Sequence, residues 1–434
     1  MTVKNPLLSV AARLKRAFER SLTLSDYFPE GTQFYYGYPS GEDSGFLNRV
    51  TPIVEELVAA RVISCSGRNV YPVCFAATTT KVIDEQVFKF FGIPKQPEKA
   101  VILPANIGVE MVGKPRNDAV REALKKQIRP KMLVMAQPYL DPELKEFYQI
   151  PPHVTAYMND KYNMSEYIDE KWLPKRLASF ASGQEFSKKA KTITPPVVIK
   201  ASSSSSGDGV HICFTKADVK DAAERLEPIS GSIIVEEMVD FVKNYGVHFG
   251  IPYQKDKPAE LIGVNEQITS KFGEFMGGII DARKVPEALD EAVNYLINTI
   301  LPRVREKGWH GIGGFDVLVD KNGKSYFIDC NFRMTGMSAY HFLIDAGKVN
   351  RPVMSVSGEF RGTAEELKTA LGKYAGAKSK QKTLTMICLS KHDDVWRFNG
   401  ALEYKDKTQL GERAKQLLAA GVKSAVLEVA ASFM

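Results

Sequence analysis

Residues 312–333 constrain the fold of this chain more than any other segment. Two alternating apolar runs flank the pair Asn322 and Gly323, and Asn-Gly between such runs is the strongest short signal for a two-residue β-hairpin turn. If these two residues form the turn, Lys321 pairs with Lys324, and the pairing of both strands is fixed outward from there. The segment therefore predicts a β-hairpin of known register.

That register brings three oxygen-bearing side chains to one face of the hairpin. It places Asp316 directly opposite Asp329, and Asn331 opposite Gly314, where no side chain obstructs the amide. The three share a face because residues two apart along a strand do so. Two facing carboxylates repel by roughly 3 kcal/mol at ~5 Å and an effective dielectric of ~20, a cost that a divalent cation removes.

We therefore predict a Mg²⁺ site held by Asp316, Asp329 and Asn331, with phosphate oxygens completing the shell. The alternative is an exposed hairpin whose acids meet surface lysines or water. The opposite face is predicted to be a core face, and Cys330 on it to be buried and unreactive. The other members of that face are Val317, Val319, Tyr326 and Ile328.

A second feature is a lysine at the end of a strand, followed by a loop of small residues. A β-branched strand at 196–200 ends in Lys200, and another strand is predicted at 211–214. Serines and glycines between them let backbone N–H groups approach phosphate oxygens, and Lys200 adds a point charge. A flexible Ser-rich linker is the alternative. The candidate phosphate contacts in the loop are Ser202, Ser206, Gly207 and Gly209.

A third feature is the apolar run 232–235, which leads into Glu236 and Glu237. A nucleotide base needs an apolar slot with main-chain donors and acceptors at its edge, and a strand running into a connector supplies both. An ordinary core strand is the alternative.

Length and composition bound the class of protein. With 434 residues the chain has room for two to four domains, and no run approaches the ~20 apolar residues of a membrane span. The net charge of +7 suits anionic substrates, whereas the basic runs lack interleaved aromatics, so we expect no nucleic-acid partner and no membrane partner. Five scattered cysteines without metal-ligand spacing indicate a reduced, cytoplasmic protein.

The two ends of the chain give weaker signals. Residues 1–155 alternate strand-like and helix-like segments, which predicts an α/β unit with a mainly parallel sheet, and 8–18 carry an amphipathic helical pattern. Near the C-terminus we predict a strand at 384–389, a helix at 407–420 and another strand at 424–429.

Taken in order, these elements resemble the ATP-grasp superfamily, over roughly residues 155–350. Lys161 in an Asn-Asp-Lys-Tyr segment resembles the family's early lysine. Lys200 with its loop resembles the second lysine and the grasping loop, and is similar to biotin carboxylase with serines in place of glycines. The segment 235–239 resembles the hinge beside adenine.

The resemblance implies roles for individual residues. Lys161 and Lys200 would contact phosphates, and Glu236 and Val239 would bind adenine through backbone groups with Glu237 alongside. Arg333 would face an acyl phosphate and, with Lys200, would be catalytic. Further candidates are Lys271 and Gln267 for substrate or phosphate. From its place shortly past the hinge His248 is a candidate for ribose, and a structural surface or core histidine is the commoner alternative. Because both metal acids are Asp where the family usually has Glu, Mn²⁺ stays open beside Mg²⁺.

The predicted fold class is α/β and α+β, an ATP-grasp fold. The predicted divisions are an N-terminal α/β pre-ATP-grasp domain at 1–155, a subdomain with the phosphate loop at 156–232, a subdomain with hinge and metal site at 233–350, and a linker with a small C-terminal α/β element at 351–434.

The activity implied by the resemblance is that of an ATP-dependent carboxylate–amine ligase, which forms an amide or peptide bond through an acyl phosphate and releases ADP and phosphate. Its substrates would be a small carboxylate and an amine, each an amino acid or peptide. The alternatives are a phosphotransferase or carboxylase of the same fold, and a non-catalytic nucleotide-binding regulatory protein. The oligomeric state is left open, with a homodimer among the alternatives.

Overall fold

The structure, a computed structural model, describes residues 9, 12–13, 21–37, 51–135, 142–204, 207, 209–270, 274–281, 287–344 and 352–433. Over these residues the strands form three sheets. Most of the predicted helix at 8–18 lies outside the described residues, as do two candidate site residues, Ser206 and Lys271.

The N-terminal sheet is parallel, as predicted. Its order is β3-β2-β1-β4, and every pairing within it is parallel. All four residues of β1 are buried, which is typical of a parallel strand covered on both faces. The strands are β1 Thr32–Tyr35, β2 Val70–Cys74, β3 Val101–Ile102 and β4 Leu133–Met135, and the helices are α1 Pro52–Ala60, α2 Glu85–Phe91 and α3 Gly113–Gln127.

The second sheet is antiparallel and carries the predicted phosphate loop. Its order is β5-β8-β6-β7, and apolar side chains of its strands form one core cluster with those of the two helices that follow β5 and β7. The strands are β5 Arg176–Phe180, β6 Val197–Ala201, β7 Val210–Cys213 and β8 Ile233–Glu237. The helices of this region are α4 Pro152–Met158, α5 Gly183–Lys189 and α6 Lys216–Leu226.

The third sheet has the order β13-β12-β9-β10-β11-β14-β16-β15, with antiparallel neighbours throughout. Its strands are β9 Phe241–Ile251, β10 Glu260–Thr269, β11 Phe275–Ile280, β12 Gly311–Asp320, β13 Ser325–Asn331, β14 Val353–Arg361, β15 Leu384–His392 and β16 Val395–Glu403. The remaining helices are α7 Asp290–Tyr295, α8 Leu301–Glu306, α9 Ser338–Leu343, α10 Ala364–Ala375, α11 Lys407–Ala419 and α12 Ala425–Ala431, with a π-helical segment Leu296–Ile300 between α7 and α8.

The C-terminal predictions are confirmed in two parts and wrong in one. The strand predicted at 384–389 is the start of β15, and the helix predicted at 407–420 is α11. The strand predicted at 424–429 is instead the helix α12. Ser424 caps it by accepting a hydrogen bond from the backbone N–H of Leu427, and Val426, Leu427 and Ala430 are buried at helical spacing.

Strand pairing links segments that the predicted divisions separate. β8 begins at residue 233 yet pairs with β5 and β6, and β14 joins the C-terminal strands to the sheet of the predicted metal site through β11. The division at residues 155, 232 and 350 stays a prediction. No helix among the described residues is long and apolar enough to cross a membrane.

Candidate active site

The two acids face each other as the hairpin register predicted. Asp316 pairs with Asp329, and Gly314 pairs with Asn331, in the β12–β13 ladder. The turn itself differs from the two-residue turn predicted. The backbone N–H of Asp320 bonds the carbonyl of Lys324, so the loop has one residue more than Asn-Gly alone.

A β-bulge restores the predicted register before it reaches the acids. Asp329 pairs with Asp316, whereas Phe327 pairs with Val317, which leaves Ile328 as the extra residue of β13. The extra loop residue and the bulge therefore cancel. Between them the strand faces are exchanged, so Phe327 packs in the core, and the prediction that Tyr326 and Ile328 lie there is wrong; both are only partly buried.

The bulge also places an acceptor for a catalytic candidate. The carbonyl of Ile328 accepts a hydrogen bond of 2.9 Å from Nζ of Lys200, because a bulged residue is left out of the regular ladder. Lys200 is buried and also lies 2.7 Å from Oε2 of Glu236. These two partners hold the ammonium group of Lys200 beside Asp316 and Asp329.

The two acids have different neighbours. Oδ1 of Asp329 lies 3.1 Å from Nζ of Lys161, whereas Oδ1 of Asp316 accepts a hydrogen bond of 2.7 Å from Nε2 of Gln267. Burial and the charge of Asp329 together raise the pKa of Asp316 to about 7. A full negative charge on Asp316 is therefore costly at this buried position unless a cation binds beside it.

Beyond the acids, Asn331 and Arg333 are joined to each other. Nη1 of Arg333 donates a hydrogen bond to Oδ1 of Asn331, and the two side chains share a face of the strand and its continuation, as predicted. Both residues contribute to the wall of the cleft described below. A guanidinium in this position can hold a phosphoryl or carboxylate group with two parallel hydrogen bonds.

The loop after β6 folds back towards Lys161. Nζ of Lys161 donates to the carbonyl of Ser204 at 3.0 Å, and the backbone N–H of Lys161 donates to the carbonyl of Ser202 at 3.0 Å. Gly207 and Gly209 have φ of 84° and 73°, a conformation that favours glycine. The predicted strand–loop–strand is confirmed, and both lysines lie at its base.

A cleft of about 1060 Å³ lies in front of these residues. Gly207 and Ser204 line it on the loop side, and side chains of β9, β10, β12 and β13 line it on the sheet side. The site residues predicted from sequence that line it are Lys161, Lys200, Gly207, Asp316, Asp329, Asn331 and Arg333, together with His248 and Gln267.

Five further candidates that the structure describes do not line the cleft: Ser202, Gly209, Glu236, Glu237 and Val239. Ser202 is buried behind the loop, and the carbonyl of Gly209 accepts a hydrogen bond from Ala201 at the neck of the hairpin. The backbone N–H of Glu237 is already bonded to the carbonyl of Lys175. Val239 lies in the connector between β8 and β9. The adenine-binding roles of Glu236, Glu237 and Val239 stay predictions.

Several cleft residues were missed by the sequence reasoning. Asn265 shares a face of β10 with Gln267, two residues away, and this periodicity of two was the signal that could have found it. Ser204 and Thr335 also line the cleft. Their position depends on the sheet order and on the chain after β13, which no local pattern in the sequence reveals.

The site fits a nucleotide bound with a divalent cation. Among the described residues no group of three or more His, Cys, Asp or Glu could hold a metal, so two carboxylates and one amide oxygen would share the ion with phosphate oxygens. Burial, more than the charge of Asp329, raises the pKa of Asp316, and a cation bound by both acids would offset both effects. Lys161 and Lys200 would supply positive charge for the phosphates.

Comparison with known proteins agrees with this geometry. The family described as L-aspartate–L-methionine ligase, ATP grasp, matches residues 174–331. That segment is roughly a third of the chain and contains Lys200, Asp316, Asp329 and Asn331.

Solved structures show the same fold at low identity. The ADP complex of purK, an N5-carboxyaminoimidazole ribonucleotide synthetase, has a TM-score of 0.54 at 12% identity, covering 91% of this chain and 98% of that one. The N5-carboxyaminoimidazole synthetase of Staphylococcus aureus has a TM-score of 0.51 at 11% identity, covering 91% and 99%. An L-amino acid ligase from Bacillus licheniformis has a TM-score of 0.48 at 12% identity, covering 75% and 87%. The first two confirm the predicted fold class, an ATP-grasp fold, and residues 174–331 match a family described as an ATP-grasp ligase.

Proposed function

We propose that this protein joins the carboxylate of one amino acid to the amino group of another, using ATP and releasing ADP and phosphate. The observation that carries the proposal is the facing pair Asp316 and Asp329 with Lys161 and Lys200 at one cleft. It lies in a chain whose residues 174–331 match a family of amino-acid ligases. Two acids and two lysines around one cleft suit a nucleotide triphosphate and its metal.

Each residue has a defined task in the proposed reaction. Lys161 and Lys200 offset phosphate charge, and the loop through Gly207 covers the phosphates and excludes water. Asp316, Asp329 and Asn331 would hold Mg²⁺, which when bound supplies positive charge to the phosphate oxygens; Mn²⁺ suits the same oxygen ligands. These residues act by position and charge, as is usual for phosphoryl transfer.

The chemistry proceeds in two displacements. An oxygen of the donor carboxylate attacks the γ-phosphorus of ATP; an O–P bond forms and the bond to ADP breaks. The amine of the acceptor then attacks the acyl carbon; a C–N bond forms and phosphate leaves with the electrons of the broken C–O bond. Arg333 lies where it can steady the acyl phosphate between the two steps.

The substrates follow from the family match. We propose L-aspartate as the donor of the activated carboxylate and L-methionine as the acceptor amine, because the matching family is described as an L-aspartate–L-methionine ligase. We also propose that the protein works in the reducing cytoplasm, which agrees with its five cysteines, all buried and unpaired.

The test is ADP release measured over pairs of L-amino acids, with the dipeptide identified by mass spectrometry. We expect ADP release that depends on both amino acids, and transfer of ¹⁸O from the donor carboxylate to the released phosphate. AMP and pyrophosphate as products would exclude an acyl phosphate. A phosphorylated product that accumulates without an amine would instead identify a phosphotransferase, and nucleotide binding without turnover would identify a regulatory protein.

A further inference from the structure

A buried polar cluster borders the cleft on the sheet side, on β9, β10 and the helix α9, none of which carries Lys161, Lys200 or a metal candidate. Nε2 of His248 lies 2.8 Å from Oδ1 of Asn265, and Nε2 of His341 lies 3.3 Å from the same oxygen. The two imidazole centroids are 4.5 Å apart. His248 and Asn265 line the cleft, and each of the three side chains is at most 4% exposed.

Glycines make the room for this cluster. A Cβ at Gly263 would lie 2.0 Å from the His341 ring, and a Cβ at Gly246 would lie 2.9 Å from Asn265. A Cβ at Gly278 would lie 2.8 Å from Nδ2 of Asn265, and real Cβ atoms do not approach this closely. Glycines on three neighbouring strands thus leave the space in which the polar side chains pack against the sheet.

Some polar atoms of the cluster are not satisfied by the hydrogen bonds within it. Oδ1 of Asn265 accepts from both imidazoles, so in neutral rings each Nδ1 is an acceptor. Among the described residues, Nδ2 of Asn265 and Nδ1 of His341 are buried without a partner. Nδ1 of His248 has only a 3.4 Å contact with the hydroxyl of Thr335. A buried donor without a partner destabilises the fold, and a hydrogen bond to a ligand in the cleft would remove that cost.

The cluster is uncharged, unlike the rest of the cleft. Burial lowers the pKa of His248 to about 4 and lowers the pKa of His341 well below its usual value, so both rings are neutral at pH 7. Lys161, Lys200 and Arg333 lie at the other end of the cleft, together with the carboxylates of Asp316 and Asp329. Charged groups of a substrate meet opposite charges there and none beside the imidazoles. The group that suits the cluster is neutral and can both donate and accept hydrogen bonds.

We propose that His248 and Asn265, positioned by His341, form the acceptor subsite of the ligase and bind the uncharged amino group of the second amino acid. This deepens the proposed function and rests on it. The amine donates an N–H to Nδ1 of His248, and Oδ1 of Asn265, which accepts from Nε2 of the same ring, holds the imidazole in the tautomer that leaves Nδ1 as the acceptor. The lone pair of the acceptor amine attacks the acyl carbon and the C–N bond forms. Phosphate departs with the electron pair of the C–O bond, and the surplus amine proton leaves on the phosphate.

Apolar side chains beside the cluster indicate what kind of acceptor fits. Sδ and Cε of Met337 lie 3.0 Å from the position of a Cβ at Gly278, beside Asn265, and a Cβ at Gly336 would lie 2.9 Å from the ring of Phe275. Both Met337 and Phe275 line the cleft. An acceptor with an apolar side chain would lie against these two residues.

The test separates acceptor binding from activation of the donor. With L-aspartate as donor and L-methionine as acceptor, we expect His248→Phe to raise the KM for L-methionine at least tenfold, while the KM for ATP stays within twofold. Hydroxylamine at high concentration reacts with the acyl phosphate without needing the acceptor subsite. The rate of hydroxamate formation should therefore be the same in His248→Phe and in the wild type. His248→Gln, which keeps an acceptor oxygen, should recover part of the loss. His310→Gln is the control, because it changes a partly buried histidine that does not line this cleft.

Gly278→Ala tests the same subsite with every polar group kept, because the added methyl crowds Nδ2 of Asn265 and Met337. It should also raise the KM for L-methionine and leave hydroxamate formation intact. The inference is overturned if His248→Phe or Gly278→Ala keeps the wild-type KM for L-methionine, or if the KM for ATP rises instead, which would assign His248 to the ribose. Absence of hydroxamate in the wild type would overturn the proposed function itself, a different result.

Discussion

Asp329 lies opposite Asp316 in the β12–β13 ladder, and its Oδ1 lies 3.1 Å from Nζ of Lys161, while Asp316 has the neutral amide of Gln267 as its hydrogen-bond donor. The two acids therefore have different surroundings. Burial and the charge of Asp329 raise the pKa of Asp316 to about 7. A divalent cation bound by both acids would offset the cost of charging Asp316. This cost can be measured in the metal-free protein.

Asp316→Asn removes one of the two facing charges and keeps the shape of the side chain. We expect turnover, measured as ADP release, to fall by about 100-fold or more because a ligand of the metal is lost. In EDTA the variant should melt at a higher temperature than the wild type, by roughly 2 °C per kcal/mol of repulsion removed. Asp393→Asn is the control, since Asp393 is exposed at a positive φ that asparagine tolerates. Wild-type turnover in Asp316→Asn would show that this residue does not hold the metal.

The stability of the metal-free protein should depend on pH through Asp316. The pKa of Asp316 is higher in the folded state than in the unfolded state, so the protonated carboxyl favours the fold. This contribution to the free energy of unfolding is fully present below the unfolded pKa of about 3.9 and is lost as the pH rises to about 7. Over that window the wild type should lose stability relative to Asp316→Asn, by at most ~1.4 kcal/mol per pH unit. Guanidinium unfolding of both proteins in EDTA between pH 4.5 and 7.5 measures the difference. A difference that is constant with pH would contradict this prediction.

Lys200→Met should weaken the binding of MgADP about tenfold or more, which is about 1.4 kcal/mol, because the phosphates lose a fixed cation. It should also destabilise the fold, since it leaves the buried carboxylate of Glu236 unpaired. Adding Glu236→Gln should recover much of the stability and none of the affinity. Calorimetric titration and thermal melts measure the two effects, with the exposed Lys220→Met as control. If the double variant regained MgADP affinity, the role of Lys200 would be structural only.

Arg116 should be essential to the N-terminal sheet region. It is buried, with Nε 3.0 Å from Glu55 and Nη2 3.2 Å from Glu56, and Tyr35 donates to Glu55 at 2.6 Å. Arg116→Met leaves two carboxylates buried without their cation, and we expect a loss of about 3–5 kcal/mol in the free energy of unfolding. Denaturant unfolding measures it.

The control for Arg116→Met is Arg225→Met, which removes a solvent-exposed arginine of α6 from its pair with Asp221. Exposed pairs contribute little, so its unfolding midpoint should match the wild type. Equal midpoints for both variants would show that the buried network around Glu55 does not stabilise the fold.

Local pattern predicted the parts of the site that depend on one or two neighbouring strands. The facing of Asp316 and Asp329 came from the hairpin, and the placing of Lys200 at the base of the loop came from β6 and β7. The turn was predicted one residue too short, and the bulge at Ile328 cancelled that error. The helix Ala425–Ala431 was predicted as a strand, because a short apolar run fits either structure.

What the sequence determined by itself is therefore the alternation of side chains on single strands and the pairing of strands joined by short turns. Tertiary structure decided which distant strands became neighbours. It brought Lys161 to Asp329, Gln267 to Asp316 and His341 to Asn265. The reason is physical: a hairpin register follows from a turn of a few residues, whereas contacts across a sheet depend on the packing of whole elements, which no local spacing specifies.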